Sequence, residues 1–184
     1  SLFPGSSLTN APRPALVRVS HAVGMPPGVP DIIGIAVRVV DAHGPGRHQD
    51  VLMASSGTGP VSRHLLRPAS ALTGTLMSTL LPYDVAGVGR HPIVAHTTGE
   101  DHALTYPEVV QDPAGTLVSI EVLVDAPRRR RIGTVHVGDP VPDRAGEDLR
   151  FHPWNTGSEL TPAGLVNRLR QPTYRASQEG RGAA

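Results

Sequence analysis

Glycine and proline interrupt this chain before any apolar run can grow long. The 20 Gly and 19 Pro fall between short stretches of Val, Leu and Ile, which cuts the hydrophobic sequence into strand-length pieces rather than helix-length ones. A chain so punctuated is constrained to many short strands joined by tight turns. Its aromatic residues are Phe3, Tyr83, Tyr106, Phe151, Trp154 and Tyr174. The core is therefore expected to be aliphatic, with an assigned position for each ring.

Periodicity locates the strands. Ala15 to Ser20 alternates, with Leu16 on one face and Val17 and Val19 on the other. A Gly/Pro loop from His21 to Asp31 follows. Ile32 to Val40 is rich in β-branched residues, with Gly34 as a candidate bulge. A turn at Gly44 to His48 leads into a strand from Val51 to Ala54, which closes a first hairpin. Val61 to Leu81 carries helical stretches broken by Pro68 and Gly74, and His91 to Thr97 reads as a short strand. Leu117 to Val124 places Val118, Ile120, Val122 and Val124 on one face. A turn over Asp125 to Arg131 returns the chain as Ile132 to Val137, a second hairpin.

Leu160 to Arg170 is the strongest helical stretch. Thr161 suits an N-cap, Pro162 the first helical position, and Pro172 a stop or kink. The expected fold class is mainly β (α+β): a closed antiparallel barrel with peripheral helices and a C-terminal helix. Residues 1–14 read as a lead-in arm and 15–184 as one domain.

Composition removes several function classes. All 17 basic residues are Arg and 16 residues are acidic, a balance too neutral to favour nucleic acid or an anionic membrane. The absence of Cys excludes disulfides, thiolate metal sites and thiol nucleophiles. No apolar run approaches the ~20 residues of a membrane span, and the start at Ser1 is unlike a signal peptide; a soluble cytoplasmic protein is the expectation. There is no P-loop, no GxGxxG after a strand, and no HExxH or GxSxG. The nine His are scattered without metal-ligand spacing. Arg128 to Arg131 reads as solvated charge at a hairpin turn.

Three groups of residues run collinearly. The first is Arg18-Val19-Ser20, then Gly24, Asp31 to Arg38 and Asp50-Val51-Leu52. The second is Ile132 to Val137 followed by Phe151-His152-Pro153-Trp154-Asn155. The third is Gly157 to Arg181. From about residue 15 to residue 181 this order resembles the haem-dependent catalase-like superfamily. There a strand reads R-F-S, followed by a Gly loop, D-x-R-G-F-A-V-K-F, D-L-V, a V-G-x-L-x-L strand, F-x-P-x-N and R-L-F-x-Y.

The resemblance implies a catalase-like barrel that binds haem b and acts on peroxides. Tyr174 matches the phenolate ligand of the haem iron, and Arg170 lies four residues before it, as a guanidinium that favours the phenolate. Arg18 and Arg181 match the arginines that hold the haem propionates. Ser20 matches the serine that orients a distal histidine, and Ser55 falls near the position of a distal asparagine. The departures limit the chemistry. The distal histidine belongs to a segment upstream of Arg18 that this chain does not carry, and the distal amide is missing. The aromatic wall is replaced by small residues, and Pro172 interrupts the helix between Arg170 and Tyr174. Without an imidazole to move the peroxide proton, the expected activity is weak and peroxidase-like rather than full catalase turnover.

Two alternatives stand beside this reading. One is a haem-free barrel of the same fold serving as a binding or structural module, in which Tyr174 packs its ring and Arg18 and Arg38 are surface strand residues. The other is haem-dependent rearrangement of a lipid hydroperoxide. The resemblance also implies homo-oligomers. His21, next to Ser20, should leave its strand on the opposite face.

Overall fold

A computed structural model describes residues 12–26, 29–57, 59, 61–98, 117–125, 128–136, 138–142 and 149–164. Its strands are β1 (Ala15–His21), β2 (Ile33–Val39), β3 (Gln49–Ser55), β4 (Leu76–Ser78), β5 (Tyr83–Val85), β6 (Gly89–His91), β7 (Ile93–Thr98), β8 (Leu117–Asp125), β9 (Arg128–His136) and β10 (Leu160–Pro162). Both expected hairpins form, β2 with β3 and β8 with β9. Seven strands make one antiparallel sheet in the order β1-β2-β3-β4-β7-β8-β9, and β10-β5-β6 make a second.

The expected closed barrel is corrected. Neither sheet closes among the described residues: β1 and β9 are the two edges of the larger sheet and do not pair with each other. Strand parity gives a physical reason. Seven strands with only antiparallel neighbours leave the first and last running the same way, so those two edges cannot complete an antiparallel ladder. The sheet instead curls over one aliphatic core. Ile33, Ile35, Val37, Val51, Met53, Met77, Ile93 and Ala95 point inward from it, and the smaller sheet adds Tyr83, Val85 and Leu160. Val17, Val19, Ile132 and Val135 pack against the same cluster. Ile132 and Val135 are three apart yet both reach the core, because the β8–β9 register passes from Arg131 to Gly133 and skips Ile132.

The expected C-terminal helix is also corrected over its described part. Leu160, Thr161 and Pro162 pair with Val85, Asp84 and Tyr83 as a strand. β10 lies at the edge of its sheet, where the missing N–H of Pro162 is tolerated. Thr161 Oγ1 donates to Gly157 O at 2.8 Å instead of capping a helix, and Gly164 turns the chain at φ 92°. Residues 165–170 lie outside the described residues.

Peripheral helices reduce to one 3-10 turn among the described residues, Ser62–His64. The backbone of the Val61–Leu81 stretch is engaged elsewhere: Leu66 bridges to Ser56 and Ala69 to Asp31, and Arg67 N donates to Ser55 O. Hydrogen-bonding groups committed to neighbouring strands are not available to a helix. Arg128 to Arg131, expected at a turn, belong to β9 and pair with Asp125 to Glu121 of β8. Gly34 is not a bulge. It sits in register between Ser20 and Ala54, and a Cβ there would come within 2.8 Å of Ser20 Oγ. No helix among the described residues is long and apolar enough to cross a membrane.

Candidate functional site

The β-strand alternation decides which candidate residues can meet. Ser20 lies beside Gly34 and Ala54, and Arg18 beside Ala36 and Leu52, so both occupy one face of the sheet. Ser55 follows Ala54 and takes the opposite, core-facing side, where it is fully buried. Its hydroxyl accepts from Ile33 N at 3.0 Å and donates to Arg67 O at 2.6 Å. Ser20 and Ser55 therefore do not share a cavity, and Arg18 is exposed on its strand. Arg170, Tyr174 and Arg181 lie outside the described residues. The positions that can be checked do not converge on one haem, and no chemical step follows from them.

His21 leaves β1 on the face opposite Ser20, and its Nδ1 lies 3.5 Å from Asp31 Oδ2. Asp31 is buried and clamps the loop. Its carboxylate accepts from Val23 N at 3.1 Å, Gly24 N at 2.8 Å, Met25 N at 3.1 Å and Ile32 N at 2.6 Å. Burial pushes its pKa up, but these four backbone donors together outweigh that effect and hold it below the usual carboxylate value.

The first two groups of the collinear pattern do meet. Asp50, with no exposed surface, accepts from Arg38 Nε at 2.7 Å and Nη2 at 2.6 Å. It also accepts from His152 N at 2.8 Å and Asn155 Nδ2 at 3.0 Å. Arg38 Nη2 donates to Arg150 O at 2.5 Å, and the Phe151 ring stacks against the guanidinium with its centroid 5.1 Å from Cζ. The hydrogen bonds to Asp50 raise the Arg38 pKa against the opposing effect of burial, and the carboxylate charge adds to the rise. Arg38 is thus a buried-pair residue rather than the surface strand residue its sequence position suggested. The pair ties the 149–157 loop to the β2–β3 hairpin and carries Trp154 to a small hollow of about 160 Å³ beside Tyr83, Leu52 and Leu80.

A larger cleft opens where the curled sheet fails to close. It holds about 360 Å³ between the ends of β2 and β3, the rim of β9 and Leu160. Val37, Val39, Val51 and Val135 line it, with Arg13, Gln49, Thr134 and His136 as polar members. Gln49 is buried; its Oε1 lies 3.1 Å from His43 Nε2 and accepts from Gly157 N at 3.3 Å. Gly157 is packed so closely on the His43 ring that a Cβ would come within 2.3 Å of it. The Gln49 cluster thus fixes one wall of the cleft in place. No group of three or more His, Asp or Glu side chains able to hold a metal occurs among the described residues.

Sequence reading identified the apolar faces but missed the cleft, because alternation says which side chains point inward and not which of them stay uncovered. It also missed the partner of Arg38. Counting back from a turn over Gly44 to His48 places Arg38 opposite Ala54, whereas the hairpin adopts a register centred on Gly44 that sets Arg38 opposite Asp50. No protein-family model, no curated protein and no solved structure matches this chain, so the catalase-like resemblance rests on its motifs alone.

Proposed function

We propose that the chain is a binding module for a small, mainly apolar molecule held in the cleft between β2–β3 and β9. The cleft itself carries this reading. Its volume of about 360 Å³ falls within the ~300–1,000 Å³ of small-molecule sites, and its lining combines aliphatic side chains with a few polar groups, as such sites do. A neutral probe such as N-phenyl-1-naphthylamine, which brightens in apolar surroundings, tests it. Saturable fluorescence is expected with the wild type. Thr134→Trp, which fills the cleft from its exposed rim, should abolish the signal while changing stability by no more than ~0.5 kcal/mol. Binding that survives Thr134→Trp would overturn the assignment to this cleft.

Haem binding with peroxide chemistry is a second reading, favoured by the spacing of Arg170, Tyr174 and Arg181. It gains nothing from Ser20, Ser55 and Arg18, which do not face a common cavity. A Soret band after haem addition that is lost in Tyr174→Phe would support it; an unchanged spectrum would remove it.

A further inference from the structure

We infer that the ligand of this cleft is an aliphatic monocarboxylate, an alkyl chain ending in a carboxylate. The inference rests on the reading of the cleft as a binding site and names the chemical class that the site selects.

Charge complementarity carries it. Arg13 and His136 line the cleft, and no Asp or Glu does among the described residues. Among the described residues the Arg13 guanidinium makes one hydrogen bond, a 3.3 Å donation to the backbone carbonyl of Asp41, and no ion pair with a carboxylate. A guanidinium has five N–H donors in a fork that fits a carboxylate. A neutral apolar ligand that covered this group would take a cation out of water with nothing to compensate it, which is unfavourable. A ligand bringing its own carboxylate removes that cost and adds charge-assisted hydrogen bonds.

The lining also selects the other end of the ligand. It contains no Phe, Tyr or Trp among the described residues, and Val37, Val39, Val51, Ile132, Val135 and Leu160 are all aliphatic. Flat aromatic ligands gain most from offset or edge-on contacts with the large rings of Phe, Tyr or Trp, and this lining supplies none of those three. An alkyl chain needs only apolar contact area, which branched aliphatic side chains supply. A single Arg with one His matches a single negative charge.

Displacement of N-phenyl-1-naphthylamine by dodecanoate and by dodecan-1-ol, at mildly alkaline pH, tests the class. Dodecanoate is expected to displace the probe at about tenfold lower concentration than the alcohol. The Arg13→Gln/His136→Gln double variant should lose that preference, with the two compounds displacing the probe at similar concentrations. Equal displacement by the two compounds in the wild type overturns the monocarboxylate assignment but leaves the binding-module reading standing. A preference that persists in the double variant overturns it equally. If the neutral probe itself does not bind, both fall together.

Discussion

Half-buried Arg38 and fully buried Asp50 face each other across β2 and β3, with four donors converging on one carboxylate. Removing Asp50 leaves the half-buried Arg38 cation, His152 N and Asn155 Nδ2 without their common acceptor, and that loss exceeds what the intact pair contributes. Asp50→Ala is expected to destabilise the fold by about 3–5 kcal/mol. Because the same carboxylate anchors His152 and Asn155, the emission of the single Trp, Trp154, should shift to the red in the native baseline. A urea titration followed by fluorescence measures both. Ser55→Ala separates a structural serine from a reactive one: it leaves Ile33 N and Arg67 O without their partner, and a loss of about 1–3 kcal/mol is expected in the same assay. At this scale the sequence was legible where chemistry is local. The alternation that separates Ser20 from His21 follows from the strand period. The anchoring of Asp50 by residues 102 and 105 positions away does not, because nothing local encodes so distant a contact.

The loop between β1 and β2 shows how an element can depend on one ionisable group. Asp31 is a carboxylate whose pKa is lowered in the fold. It therefore stabilises the native state fully above the unfolded value of about 3.9, and that contribution disappears as the pH falls through the lower folded value. The urea midpoint of the wild type is expected to drop between about pH 5.5 and about pH 3 by more than that of Asp31→Asn. Equal drops would show that the clamp is not the group being titrated.

Other elements were harder to read. The helical expectation for Leu160 onward used sound capping chemistry, but cross-strand pairing with Tyr83 to Val85 prevailed over local propensity. The same competition dissolved the helices expected in Val61 to Leu81. Their backbone groups pair with Ser55, Ser56 and Asp31, partners that propensity cannot see.

Across the molecule, strand content and both long hairpins follow from the Gly/Pro punctuation and the period of two. Closure does not, because it depends on how many strands enter the sheet and in which direction the last one runs. Among the described residues the seven-stranded order leaves β1 and β9 unpaired with each other, and the cleft opens between them. Filling or charging its wall should therefore affect ligand binding and leave the Asp50 anchor intact. Val39→Arg, on the half-buried rim of β2, is expected to weaken dodecanol binding about tenfold with unchanged Trp154 emission, read by probe displacement and fluorescence. The most direct measurement is an amide chemical-shift map of the wild type titrated with N-phenyl-1-naphthylamine. Perturbations centred on Val37, Val39, Val51 and Ile132 to His136 are the expected result. Perturbations centred instead on Trp154, Tyr83 and Leu80, or a spectrum that does not change, would contradict the account.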